Sequence, residues 1–158
     1  MMSKNLLQAA LIMFLAISST FLLMSAIEFY SYCVDIKSLK HFTVRLNSIK
    51  LKKLNNATYL SFNLQLNNSA EGKIIVVFQK FELTVEGELI QVRSIDFSHK
   101  ELIIHSYESI SREVSLEIPS FKLYLLKKEN VLCEINVYIY VKTPYGRVCF
   151  TSSTLIFP

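Results

Sequence analysis

Three histidines, three cysteines and two glutamates beside a glycine are the side chains of this 158-residue chain whose types could carry chemistry. His41, His99 and His105 are scattered, and the spacing of the last two suits neither one face of a helix nor a zinc-ligand pattern. They read as loop or edge residues. Glu86 and Glu88 flank Gly87, but a glycosidase needs a cleft to hold its two carboxylates, and a pair at a turn tip is ordinarily just solvated. There is no G-x-S-x-G, phosphate-binding loop, dinucleotide fingerprint or Cys-x-x-Cys pair. Gly72, Gly87 and Gly146 are the only glycines, too widely spaced to cradle a phosphate. The residues supply no catalytic group, metal-ligand set, cofactor or evident small-molecule substrate, so the chain is not expected to be an enzyme. A membrane-tethered hydrolase with an unfamiliar site is the enzyme reading this leaves open.

Three cysteines cannot all pair within one chain. If Thr143-Pro144-Tyr145-Gly146 is a hairpin turn, Cys149 lies opposite Tyr140 and Cys133 opposite Ile156. The two thiols are then about 24 Å apart along the ladder, whereas a disulfide needs Cα atoms within about 7 Å. Cys133 falls on the apolar phase of its strand and reads as a buried free thiol. Cys33 follows shortly after an apolar stretch; acylation, an intermolecular disulfide and an unmodified juxtamembrane thiol are its three readings.

Of the 17 basic residues only Lys4 precedes residue 28, and all 13 acidic residues follow it, which leaves about +3 on the remainder. Lys50/Lys52/Lys53 and Lys127/Lys128 are the only clusters. A nucleic-acid reader would show a denser basic stripe interleaved with aromatics, so no nucleic-acid partner is expected. A basic rim facing anionic headgroups fits these charges better. Asn56-Ala57-Thr58 and Asn67-Asn68-Ser69 have the form of glycosylation acceptors at Asn56 and Asn67. With nine asparagines, about one such match arises by chance; export permits their use without being shown by them.

The element that must position everything else is Leu6 to Ile27, LLQAALIMFLAISSTFLLMSAI, which contains no charged residue. As a helix it is about 33 Å long, enough to cross the roughly 30 Å hydrocarbon core. Ala16-Ile17-Ser18 offers a signal-cleavage site, but the apolar run continues through Phe21, Leu22, Leu23 and Met24 to Ile27. A removed signal has no need of that continuation, so the reading is an uncleaved signal-anchor with membrane lipid as the partner of residues 6–27. A plain Lys/Arg count does not fix the orientation; the charges nearest the helix favour a cytoplasmic N-terminus and an extracytoplasmic residue 28–158 portion. Residues 1–5 form a tail, 28–40 a linker and 41–158 the domain, which at this size is single.

Within the domain, alternation marks the strands. Phe42, Val44 and Leu46 share one phase and Ile49 and Leu51 the other, a shift at Asn47-Ser48 that a β-bulge produces. Asn55-Asn56 turns the chain into Leu60, Phe62, Leu64 and Leu66, which alternate against Ser61, Asn63 and Gln65. Ile74 to Phe78 is a short apolar run, followed by Phe81, Leu83 and Val85, with a hairpin at Glu86-Gly87 into Leu89, Ile90 and Val92. Leu102 to Ile104 reads as a short edge strand, and Val114, Leu116 and Ile118 as one ending at Pro119. Ser120 to Lys128 fits either a strand or a short helix capped by Ser120, the helix being preferred. Val131 to Val141 alternates, and the Thr-Pro-Tyr-Gly turn returns the chain through Val148 and Phe150 to Ile156. Seven or eight antiparallel strands with frequent turns ask for a mainly β, two-layer sandwich.

Tyr59 to Asn68 (YLSFNLQLNN), Phe81 to Ile90 (FELTVEGELI) and Val137 to Phe150 (VYIYVKTPYGRVCF), in this order, resemble the late-embryogenesis-abundant group 2 family, also described as the water stress and hypersensitive response (WHy) domain. Ser69 stands where that family usually has proline. The resemblance implies an immunoglobulin-like, fibronectin III-like sandwich, often tethered by one N-terminal membrane helix, with roles in stress protection and no catalytic residues to carry over. The combined expectation is a single-pass, membrane-anchored, non-enzymatic binding or protective module. Its rival is an accessory subunit of a membrane complex, whose helix packs against other membrane or surface proteins and whose sheet edge pairs with another chain.

Overall fold

The computed structural model describes residues 4–54, 57–127 and 131–156. A single helix, α1 (Lys4–Lys40), leads into eight strands: β1 (Phe42–Leu54), β2 (Ala57–Asn68), β3 (Ile74–Val85), β4 (Glu88–Asp96), β5 (Leu102–Ile104), β6 (Ser109–Ile118), β7 (Cys133–Thr143) and β8 (Gly146–Ile156). They form two antiparallel sheets, one ordered β1-β2-β6 and the other β4-β3-β7-β8, with β5 pairing the start of β3. The molecule is therefore mainly β, an N-terminal apolar helix joined to a two-sheet sandwich.

The period-2 pattern decides which faces meet. Leu60, Phe62, Leu64 and Leu66 of β2 are buried, as are Phe81, Leu83 and Val85 of β3 and Cys133, Ile135, Val137, Ile139 and Val141 of β7. Phe62 and Phe81 meet across the layers with ring centroids 5.8 Å apart. Burying each such side chain stabilises the fold by about 1.5–3 kcal/mol, so β2, β3 and β7 carry most of the core.

Local irregularities appear where the phase shifts. The ladder of β1 on β2 slips between Asn47 and Lys50, and Ser48 adopts a φ of 54°, the bulge that the change of phase predicts. Val76 and Val77 are both buried because β3 bulges against β7 between Val76 and Phe78; the apolar run at 74–78 and the alternating run after it are thus one strand. Glu86 and Gly87, with φ of 50° and 81°, make the β3–β4 turn. Gly146 at φ 134° closes the Thr-Pro-Tyr-Gly turn, placing Cys149 opposite Tyr140 and Cys133 opposite Ile156. All three cysteines are free.

Two expectations are corrected. Residues 28–40, read as a linker, continue α1 without a break. No Pro or Gly interrupts that stretch, and one of its faces finds a partner in the domain. The short helix expected from Ser120 is instead two separate 3-10 turns, Ser120–Lys122 and Leu125–Lys127, and the cap position is Pro119 with no side-chain cap hydrogen bond. Leu125 is buried in the core cluster. Only a broken path turns it inward while Phe121 and Tyr124 stay exposed. Asn55, Asn56 and Lys128, which entered the turn, acceptor and charge readings, lie outside the described residues.

Candidate functional site

The strands run so that one end of the sandwich gathers the end of α1, the β2–β3 loop, the β5–β6 loop and the β7–β8 turn. Asn68, the last residue of β2, organises this end. Its side chain is fully buried; Nδ2 donates to the carbonyls of Gly72 at 2.6 Å and His105 at 3.0 Å, and Oδ1 accepts from the Ala70 N–H at 3.3 Å. One amide thus ties together backbone groups of two loops. Ser69 ties the same loop to the helix end, its hydroxyl donating to the His41 carbonyl at 3.0 Å. Ser106 donates to the Glu71 carbonyl.

The second half of α1 docks here. Ser38 is only 1% exposed, tolerable because its hydroxyl donates to the Val34 carbonyl one turn back, at 3.0 Å. Gly72 lies directly against it: a Cβ there would collide with the Ser38 hydroxyl and come within 3.1 Å of the Val34 side chain. Tyr32 meets Tyr145, at the tip of the β7–β8 turn, edge to face with centroids 5.0 Å apart. Between helix and turn lies a cleft of about 230 Å³ lined by Asp35, Leu39, Ile74, Val141 and Pro144, with Lys73 and Lys142 at its sides. Ligand pockets usually run from about 300 to 1,000 Å³, so this one is small for an independent ligand.

The first half of the helix has the opposite surroundings. Large side chains from Leu11 to Ile27 are exposed all round, as are Phe29 and Tyr30. This helix is long and apolar enough to cross a membrane, by length and composition.

A group of mutually perturbed side chains lies away from this end, on the open face of the larger sheet. Lys80 pairs with Glu82 at 2.5 Å, and the Tyr138 hydroxyl donates to Glu82 at 3.0 Å. The Lys80 hydrogen bond, helped by that of Tyr138, holds the Glu82 carboxyl below its usual value. The Tyr138 hydroxyl, spent on Glu82, is pushed up, and Lys80 is raised by the same carboxylate. These are neighbours on adjacent strands of a flat face, the geometry of a cross-strand network. Among the described residues no group of three His, Cys, Asp or Glu side chains comes together to hold a metal.

Of the residues singled out from the sequence, Cys33 is exposed on α1, on the turn after Tyr30. Asn67 is half-buried inside β2, paired with Thr43 on one side and Ser109 on the other. Asn56 is outside the described residues. The sequence reading gave no site role to Asn68, Ser38, Gly72 or Tyr145; Asn68 ends the quoted strand motif, but only contacts distant in sequence reveal what the other three do.

No family model matches the chain, and no curated protein matches it. Its fold is similar to that of several solved structures. A protein from Archaeoglobus fulgidus shares 10% identity over 72% of this chain and 98% of its own, with a TM-score of 0.50. A protein from Arabidopsis thaliana shares 14% identity over 73% and 80%, with a TM-score of 0.54. A protein described as late embryogenesis abundant shares 10% identity over 89% and 84%, also at 0.54. At these identities the likeness is one of fold, and the fold includes that of a late-embryogenesis-abundant protein, as the sequence resemblance implied.

Proposed function

We propose that this chain is a single-pass membrane protein, anchored by residues 6–27, whose β-sandwich serves as a non-enzymatic binding or stress-protective module on the extracytoplasmic surface. The observation that carries the reading is α1 itself: one uninterrupted helix, apolar and unburied along its first half, docked into the sandwich along its second. Exposing that much hydrocarbon to water would be costly, about 25 cal/mol per Å², whereas in lipid the surface is matched. The fold shared with a late-embryogenesis-abundant protein supports the protective role. Cys33, exposed beside the span, is the site at which acylation or an intermolecular disulfide would strengthen the attachment.

Carbonate extraction of membranes holding the full chain, combined with an impermeant thiol reagent on intact cells, tests both parts. Retention in the pellet with labelling of Cys149, and of Cys33 wherever its thiol is unmodified, is expected. Release by carbonate overturns the anchor, and retention with labelling only after permeabilisation overturns the orientation.

A second reading, an accessory subunit pairing through a sheet edge, draws on β8. This edge strand has no charged residue from Val148 to Ile156 and no proline, whereas β1 guards its own edge with a bulge and with Arg45, Lys50, Lys52 and Lys53. Native mass measurement in detergent separates the readings: a lone monomer speaks against the subunit.

A further inference from the structure

We infer that the β7–β8 turn is a second membrane contact, with Tyr145 seated among the lipid headgroups beside Phe29, Tyr30 and Tyr32. The inference rests on the anchor proposed above and adds to it the pose of the sandwich on the bilayer. A domain carried on the tip of α1 would begin about 20 Å beyond Ile27, the rise of residues 28–40 at 1.5 Å per residue. The ring contact between Tyr32 and Tyr145 shows a different arrangement. Tyr32 lies five residues past Ile27, about 7.5 Å along the axis, and the headgroup layer is about 5–7.5 Å deep on each side of the hydrocarbon. The turn therefore reaches back along the helix to the outer edge of the headgroup layer.

The chemistry of the turn suits that depth. Tyr145 is 78% exposed although its ring touches Tyr32, and Phe29 and Tyr30 are similarly uncovered. Aromatic rings with one polar end collect at the membrane–water interface, where the ring is shielded and the hydroxyl stays wet. Pro144 and Gly146 fix the turn that presents Tyr145, Lys142 at its base is paired with Glu101 at 2.9 Å, and the exposed Arg147 follows it. Two points of contact, helix and turn, would set both the tilt and the rotation of the sandwich, which a single helix cannot do.

The chain contains no tryptophan, so one introduced indole reports one position. The full chain is placed in phosphatidylcholine vesicles containing lipids brominated at graded depths, as the single variants Tyr145→Trp, Phe14→Trp and Tyr124→Trp. The expected result is blue-shifted emission from Y145W with several-fold stronger quenching by shallow than by deep bromines, deep quenching of F14W, and no quenching of Y124W at the far end of the sandwich. Unquenched Y145W with deeply quenched F14W overturns this inference alone, whereas unquenched F14W overturns the anchor. Because Tyr145 is exposed, the substitution is not expected to disturb folding, and unchanged circular dichroism confirms that Y145W reports position.

Discussion

The two halves of α1 are one helix in two different surroundings. From Leu11 to Ile27 its large side chains are uncovered on every face, while from Tyr32 to Leu39 the same helix buries Ser38 and half-buries Val34, Ile36 and Leu39. The polar half is the one packed against protein; the apolar half is the one left bare. That inverts the usual rule for a globular chain, and the bare surface is the one that the proposed hydrocarbon environment would match, since an uncovered leucine costs nothing there. The second half is an extension of the sandwich, held by small residues: Ser38 lets the helix approach, and Gly72 lets the loop approach it.

The largest expected break in that contrast is a charge in the first half. Leu15→Arg should disfavour insertion by about 2.5–3.5 kcal/mol, the cost at a helix centre, and should move a large fraction of the chain into the carbonate supernatant. Tyr30→Arg, at the junction of the halves, should change the partition little, because a long cation near a helix end reaches water.

Next comes the docking of the second half. Gly72→Ala should cost about 2 kcal/mol, as overpacking against Ser38 and Val34 forces loop and helix apart. Thermal unfolding measures the loss. Adding Ser38→Ala removes the hydroxyl that the new Cβ meets, so the double variant should be more stable than the sum of the single effects, a coupling expected only if the two residues touch. Membrane retention should be unchanged in both variants, which separates the roles of the two halves.

The smallest effect lies away from α1. Glu82, its carboxyl lowered by Lys80 and Tyr138, contributes stability present above the ordinary value of 4.5 and lost as the pH falls through the lowered folded value. Tyr138, raised by Glu82, contributes stability present below its ordinary value of 10.0 and lost as the pH rises through the raised one. Tyr138→Phe should therefore flatten both limbs of the stability–pH profile, with a loss near neutrality of about 1 kcal/mol or less. Chemical denaturation at a series of pH values is the measurement, and an unchanged acid limb would show that the Tyr138–Glu82 bond adds nothing.

The sandwich was largely legible because each strand writes its burial locally. Leu60 to Leu66 and Val131 to Val141 alternate with period two, so one face must be inside whatever the partner strand is. The bulge at Ser48, the Glu86-Gly87 turn and the separation of Cys133 from Cys149 likewise follow from phase and turn chemistry within short windows. The segment from 120 to 127 did not yield to that reading, because its path is bent by where Leu125 must go, a contact with residues far off in sequence.

The amino-acid sequence alone determined that a charge-free helix of membrane-spanning length precedes one mainly β domain, since apolar run length and alternation are properties of neighbouring residues. Only the tertiary structure decided that the helix runs on through residues 28–40, that Gly72 receives Ser38, that Asn68 binds two loops, and that the Tyr145 turn returns to the level of Tyr32. The Gly72–Ser38, Asn68–His105 and Tyr32–Tyr145 contacts each join residues more than thirty positions apart, and such contacts are set by how the sheets stack and the loops close rather than by any local pattern.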